Sequence, residues 1–480
     1  MYSKFGQFID GKWQSSEKKE TYDVINPATE EVIGKASKAT KNDVLKALKS
    51  SEKGFKIWKK IPAWERSLKI RKISELIRER KNILAKWLTL EVGKPLLEGV
   101  GEVSSAADIF EWNAEETKRI FGQTVESRFE NTRVQVIYQP IGVVAALVPW
   151  NFPVILASRK ISTALAAGCS VIVKPDVIAP GAVMEMMNVI NDAGVPPGVV
   201  NLLSGDPEEI SNDLISSDII KKVSITGSTR VGKLILKKAA NKVQRVTMEL
   251  SGHAPFIVFE DSNIEKVTEM AIASKYRNNG QVCISPTRFY IHESKKEDFI
   301  KIFIEKTKKL KIGDGLKEGT NLGPITTKKR LEEIEKLVEK TKKEGGKVLY
   351  GGKRPAGFNK GYFYEPTVID NVKDNFTIMT EEPFGPITPI TTFKKFDEVI
   401  ERANKHDCGL AGYVCTNSME KAFKASEQLE TGIVAVNTPV VATAETPFGG
   451  IKQTGYGREG GSVGIKDYLN IKYTHLGLSG

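Results

Sequence analysis

Three widely spaced side chains in this 480-residue chain have the chemistry to work on a carbonyl carbon. Cys283 closes Gly280-Gln281-Val282-Cys283, a tight polar approach unlike a helix interior. A thiolate is intrinsically nucleophilic and adds readily to a carbonyl. Glu249 lies 34 residues earlier, after the strand-like Val246-Thr247-Met248, where a carboxylate can abstract the proton of a hydrolytic water. Asn151 sits in Pro149-Trp150-Asn151-Phe152-Pro153, held between aromatic residues and two prolines. Its amide N–H₂, together with the backbone N–H of Cys283, suits a tetrahedral oxyanion. Each residue also has an ordinary reading: small core hydrophobe, solvated strand end, turn asparagine. The four histidines, His253, His292, His406 and His475, are isolated, so no metal cluster and no Cys–His pair is indicated. That favours a glutamate as base.

The elements that must position these groups alternate strand and helix. Gly142 to Val148 is almost wholly apolar, as a buried parallel strand should be. A helix over about Val154 to Ala167 follows, then strand Ser170 to Lys174, helix Gly181 to Ala193, strand Val199 to Leu203 and strand Lys222 to Gly227. This alternation predicts a doubly wound, Rossmann-type α/β domain whose strand ends collect ligands. The pattern restarts with Pro255 to Phe259, a helix near Ile264 to Asn279, strand Phe289 to Ile291, and helices 294 to 311 and 328 to 344. Residues 41 to 118 read as mostly helical, broken around Pro62 and Pro95. Phe8 to Trp13 reads as a hairpin turning at Asp10-Gly11. A late strand at 466 to 474 is expected to pair with the β-rich 132 to 138 segment of its own or another subunit, because unpaired edges are liabilities.

Gly227-Ser228-Thr229-Arg230-Val231-Gly232-Lys233 nearly spells a phosphate-binding loop, but Leu234 stands where magnesium coordination needs Ser or Thr. Gly227 and Ser228 still mark a strand-to-helix junction, whose free N–H groups suit a pyrophosphate. The usual GxGxxG fingerprint is absent. Lys174 closes a strand, in a position to bind ribose or phosphate. Val177 offers no carboxylate to a ribose and no repulsion to a 2′-phosphate, although Asp176 is adjacent.

The bulk properties agree with an enzyme of two or three domains. Hydrophobic residues make up 40% and charged residues 27%, the mix of a globular protein. Four scattered cysteines with no CxxC pair fit a reducing cytoplasm, and no signal-length or membrane-length apolar run is present. The net charge of +12 comes from interleaved Lys and Glu rather than a basic tail, which argues against nucleic acid and suits anionic cofactors or substrates. The same Lys- and Glu-rich, Cys-poor composition is compatible with life at high temperature.

Taken in order, Pro149 to Pro153, Thr226-Gly227-Ser228, Glu249-Leu250-Ser251-Gly252, Gly280 to Cys283, Glu382-Pro383-Phe384-Gly385-Pro386 and Pro447-Phe448-Gly449-Gly450 resemble the motifs of the NAD(P)-dependent aldehyde dehydrogenase superfamily. The likeness spans essentially the whole chain. It implies Cys283 as nucleophile, Asn151 as oxyanion donor and Glu249 as deacylation base. It implies Lys174 on the adenosine ribose, Gly227 and Ser228 on the pyrophosphate, Glu382 on the nicotinamide ribose, and Trp150 and Phe384 beside the cofactor. It further implies a cofactor domain over 1–121 and 141–251, a catalytic domain over 252–451, and an oligomerisation arm and tail over 122–140 and 452–480, in a homodimer or homotetramer. Two departures stand out. Ser251-Gly252-His253 replaces the family's frequent Gly-Gly-Lys, and Val177 replaces the glutamate common in NAD-preferring members, which favours NADP with NAD possible.

Arg159 and Arg277 bracket the catalytic motifs and together would form a guanidinium site for a substrate carboxylate. The pair is similar to that of succinate-semialdehyde dehydrogenases, which makes a short semialdehyde the first expectation. The substrate-loop hydroxyl of that subgroup would fall at Ala442, a mismatch that Thr443 can compensate. The small apolar loop Pro439-Val440-Val441-Ala442 keeps glyceraldehyde, lactaldehyde and neutral aldehydes as the alternative.

Overall fold

The computed structural model describes residues 2–478; residue 1 and residues 479–480, the extreme ends of the expected cofactor domain and tail, lie outside it. Two seven-stranded sheets organise the chain. The first runs, edge to edge, Arg245–Glu249, Ile220–Thr226, Val143–Val148, Ser170–Pro175, Val200–Leu202, Gln7–Ile9, Lys12–Gln14. Its first five strands are mutually parallel. Every residue of Val143–Val148 and of Ser170–Pro175 is buried, which is why those strands read as unbroken apolar runs. The hairpin expected at Asp10-Gly11 is present, with both residues at positive φ, and it extends this sheet antiparallel.

Strand order fixes where this sheet can bind. The chain leaves Val143–Val148 toward Ser170–Pro175 and Val200–Leu202, then returns to the opposite side as Ile220–Thr226. The crevice at that reversal opens between the carboxyl ends of Val143–Val148 and Ile220–Thr226. Pro149-Trp150-Asn151 and Gly227-Ser228 are the residues that leave those two ends.

The second sheet runs Lys347–Tyr350, Thr367–Asp370, Ile387–Phe393, Pro286–His292, Ala254–Val258, Ala411–Cys415, Ile433–Val436, parallel except at its first pair. Cys283 lies just before Pro286–His292, whereas Glu249 closes a strand of the first sheet. The nucleophile candidate and the base candidate therefore come from opposing sheet ends.

Three sequence expectations change. The helical region 41–118 has a further break at Arg80, which has φ of −98° and ψ of 14° between the helices Ala63–Glu79 and Lys81–Val92. The helix expected to reach Asn279 ends at Tyr276; Asn278 and Asn279 adopt left-handed φ of 46° and 56°, a conformation that asparagine tolerates best after glycine. The late strand begins at Leu469 rather than 466, after a short 3₁₀ turn over Ile465–Tyr468. It pairs antiparallel along its full length with Thr132–Pro140 of its own chain. Gln123–Val125 completes a separate three-stranded sheet.

Candidate active site

The helix Pro153–Ala167 starts immediately after the Trp150-Asn151-Phe152 turn and sets the floor of the site. Its first free amide, that of Val154, donates to Glu102 Oε1 at 2.9 Å, a side-chain cap brought from another helix. Glu102 in turn holds Lys94 Nζ at 2.5 Å, with both side chains fully buried. Lys94 Nζ also donates to the Asn151 carbonyl at 2.8 Å and lies 3.8 Å from the centre of the Phe152 ring. Asn278 Nδ2 donates to the same carbonyl at 3.1 Å. The Asn151 backbone is thus clamped by two donors. Its side-chain Nδ2 gives one hydrogen to Gln281 O at 3.1 Å and keeps the second.

Gly280 explains the tight approach to Cys283. It has φ of +69°, and a Cβ there would stand 2.3 Å from Gly385 O in the Glu382–Pro386 motif. A Cβ at Gly252 would stand 2.0 Å from Cys283 O. Only glycine lets these three motif segments converge. The Cys283 N–H has no partner in the chain among the described residues, so it and the second Asn151 N–H are both uncommitted.

Cys283 and Asn151 line two cavities at once. The larger, about 630 Å³, includes Arg159, Arg277, Phe448 and the Pro439–Glu445 loop. The smaller, about 180 Å³, includes Trp150, Gly227, Ser228, Glu249, Ser251, Arg330, Glu382 and Phe384. Burial raises Glu249 to about 7, opposed first by its contact with the Cys283 thiol; apart from that thiol, neither carboxylate oxygen has a hydrogen-bond partner among the described residues. Burial, reinforced by the Glu249 charge, pushes the Cys283 thiol well above its ordinary range. Burial also raises Glu382 to about 8, opposed first by the charge of Arg330.

The smaller cavity opens onto the strand-to-helix junction at Gly227-Ser228. Gly227 has open space where a Cβ would stand. Ser228 N-caps the helix Thr229–Ala240 through its hydroxyl, and the N–H groups of Ser228 and Arg230 have no partner in the chain among the described residues. The N–H of Gly227 itself is not free, since it donates to Glu249 O at 3.0 Å. Trp150 and Phe384 meet edge to face at 5.7 Å between ring centroids. Phe384 reaches that position with a left-handed φ of 40°. A third cavity of about 800 Å³ lies by Val177, Ile178 and Gly205-Asp206-Pro207. Lys174 is buried near the carboxyl end of the interior strand Ser170–Pro175; burial lowers its proton affinity, while Asp176 and Asp206 oppose that shift.

The two arginines differ. Arg159 is buried, with Nη2 3.5 Å from Thr443 O and Nη1 without a partner among the described residues. Its guanidinium lies 4.9 Å from the Phe448 ring centre. Arg277 is exposed and stacks 4.6 Å from the Phe152 ring centre. Thr443 turns its hydroxyl to Thr446 at 3.3 Å and offers Arg159 only its carbonyl.

Residues 13–474 match the aldehyde dehydrogenase family. The chain belongs to that family. It is 41% identical over 466 residues to the glutarate-semialdehyde dehydrogenase of Pseudomonas putida, covering 97% of this chain and 96% of that protein. It is 39% identical over 470 residues to the NADP(+) succinate-semialdehyde dehydrogenase of Escherichia coli, covering 98% and 97%. The crystal structure of an E. coli NADP-dependent enzyme superimposes with a TM-score of 0.97 at 39% identity, covering 98% of each chain. This protein is therefore an NAD(P)-dependent aldehyde dehydrogenase, working at family level through a catalytic cysteine.

Sequence reasoning did not single out several groups of this dehydrogenase site. Lys94 and Glu102 were marked only by Gly93-Lys94-Pro95 at a helix break. Lys160 Nζ pairs with Glu459 Oε1 at 2.5 Å in the buried space near Glu249 and Arg159. Arg330 joins through the start of the helix Lys328–Lys343, where Thr327 caps its N–H at 3.1 Å. No local pattern distinguished these charges from the many solvated ones. No helix among the described residues is long and apolar enough to cross a membrane.

Proposed function

We propose that this dehydrogenase oxidises a short carboxylate-bearing aldehyde, such as succinate semialdehyde, to the acid and favours NADP over NAD. The observation carrying the substrate reading is Arg159, a buried cation in the larger cavity with one nitrogen unpartnered. An unpaired buried charge is expensive, and a bidentate carboxylate offsets that cost. Relatives named for succinate and glutarate semialdehydes support the same chemical class. Val177 supports the NADP reading, because it puts no carboxylate where a 2′-phosphate would meet one.

In this reading, the Cys283 sulfur bonds to the aldehyde carbon as its proton is given up to solvent water, which leaves Glu249 free for the later step. The oxyanion of the thiohemiacetal is met by the free N–H of Asn151 and the backbone N–H of Cys283. The dinucleotide, when bound, supplies the nicotinamide that accepts the hydride, leaving a thioester on Cys283. Glu249, set near neutrality by burial, takes a proton from water as that water attacks the thioester; the C–S bond breaks and the acid leaves. Ser228 and Lys174 would hold phosphate and ribose, with Gly227 leaving room for the phosphate to approach, Glu382 would hold the nicotinamide ribose, and Trp150 and Phe384 would wall the ring. We assign residues 1–121 and 141–251 to cofactor binding, 252–451 to catalysis, and 122–140 with 452–480 to assembly. Exposed Ile471, Tyr473 and Phe129 on the three-stranded sheet and its hairpin support a homo-oligomer built through that arm.

A second reading rests on the small apolar loop at Pro439 to Ala442 in the larger cavity, which suits a neutral short aldehyde. An aldehyde panel with both cofactors separates the two. Equal kcat/KM for succinate semialdehyde and for neutral aldehydes of similar size would reject the carboxylate reading.

A further inference from the structure

Glu382 hangs from a segment that is anchored on the side away from Cys283. The helix Thr377–Thr380 ends two residues before it, and Glu381 is extended. The Thr380 carbonyl accepts a hydrogen bond from His406 Nε2 at 3.1 Å. At the opposite edge of that ring, Nδ1 accepts from the Cys408 N–H at 2.9 Å. A carbonyl can only accept and a backbone N–H can only donate, so the two bonds specify one species: neutral imidazole with its proton on Nε2. His253 packs against the ring at 4.8 Å and nearly perpendicular, and is itself tied through Nδ1 to Thr287 Oγ1 at 2.6 Å. The charged groups facing His406 are Arg288, Asp407 and Lys452, besides the neutral, buried His253. Lys452 Nζ donates to the His406 carbonyl at 3.2 Å, and Arg288 Nε to the His253 carbonyl at 2.8 Å. An open cavity of about 550 Å³ on this side shares Ser251 and Glu382 with the cysteine pocket and is lined by Thr380, His406 and Cys408.

We propose that His406 is a positioning residue for the cofactor: by bridging Thr380 O and Cys408 N it holds Glu382 in the wall of the cysteine pocket. The inference rests on the reading of Glu382 as the nicotinamide-ribose ligand. A protonated ring would set an N–H against the N–H of Cys408 and break the bridge. Burial lowers the proton affinity of His406, helped by Arg288 and Lys452, so the bridge holds at neutral pH and fails only below the ordinary histidine range. Glu382 is raised to about 8, so its own titration falls on the other side of neutrality.

The test uses the full chain and measures KM for NADP and for the aldehyde separately across pH 4.5 to 8.5. His406→Ala and His406→Asn lose the donor to Thr380, and should raise the NADP KM roughly five- to tenfold, the worth of about one hydrogen bond, while kcat and the aldehyde KM change little. His406→Gln restores a donor at the Nε2 position that does not titrate; it should return the NADP KM toward wild type and abolish its rise at acid pH. An unmoved NADP KM in His406→Ala, an acid limb retained in His406→Gln, or equal losses in kcat and both KM values would overturn the proposal. Glu382→Ala separates the two layers. If it leaves the NADP KM unchanged, the ribose reading fails and this inference with it; if it raises that KM while His406→Ala does not, only this inference fails.

Discussion

Glu249 stands beside Cys283 in the wall of the smaller cavity, and apart from the Cys283 thiol neither of its carboxylate oxygens has a hydrogen-bond partner among the described residues. The two groups come from opposite sheets, and burial acts on both in the same direction. A buried carboxylate raised to about 7, with only the Cys283 thiol beside it to oppose the shift, can hold or release a proton at working pH.

Removing the thiol should separate binding from chemistry. Cys283→Ala is expected to lower aldehyde-dependent NADPH formation by at least about 10³-fold. NADP binding, followed by calorimetry, should persist. Turnover at the wild-type rate would refute the covalent mechanism.

Glu249→Gln should stall after one turnover. Stopped-flow absorbance is expected to show a burst of about one NADPH per site, with steady-state deacylation strongly reduced. In the wild type, deacylation should rise with pH through about 7. The stability effect has the opposite sign. Between the ordinary carboxylate value and about 7, the native state keeps a proton that the unfolded chain has lost, so stability falls as pH rises through that window. The cost above it is on the order of 3–4 kcal/mol. Glu249→Gln should therefore exceed wild type in Tm at pH 8 and not at pH 4.

Arg159→Ala should raise KM for carboxylate-bearing aldehydes by about 10- to 100-fold, the scale of a charge-assisted hydrogen bond. Neutral aldehydes should be nearly unaffected. Arg277→Ala should do less, because its guanidinium is exposed and stacked on Phe152. Equal losses on charged and neutral aldehydes would remove Arg159 from substrate recognition.

Cofactor choice is tested directly by two dissociation constants. NADP should bind more tightly than NAD to the wild type. Val177→Glu should weaken NADP by about tenfold or more through like-charge repulsion while sparing NAD. Equal or inverted affinities in the wild type would reject the preference.

Lys94 supports the site from beneath. Lys94→Met leaves Glu102 charged and buried without its partner, and should destabilise the fold by about 3–5 kcal/mol in denaturant unfolding. The double variant with Glu102→Leu should recover much of that loss, since the pair then goes together.

Much of this protein was legible in its residues. The buried runs Gly142 to Val148 and Ser170 to Lys174 announced a parallel sheet because strands covered on both faces lose their polar alternation. Cys283, Asn151 and Glu249 were identifiable because turn-forming neighbours and strand ends are local signals. The break at Arg80 was invisible, since no proline or glycine marks it. Asn278 and Asn279 fit a helix by local pattern, but three distant segments claim them: the Asn278 side chain donates to the Asn151 carbonyl, its N–H to Glu98, and the Asn279 side chain to the Gly323 carbonyl.

The sequence by itself determined the alternation of elements, the chemical identity of the candidate nucleophile, base and oxyanion donor, and the family to which they point. These depend on side-chain periodicity and turn chemistry, which operate over a few residues. Only the tertiary structure decided that Arg159 is buried at the larger cavity while Arg277 is exposed, that Lys94 reaches the Asn151 carbonyl, and that the late strand pairs within its own chain. Each of those depends on which distant segments are packed together. The close approach of Gly280 to Gly385, more than a hundred residues apart, shows why: a cavity wall is made of contacts whose partners no local window contains.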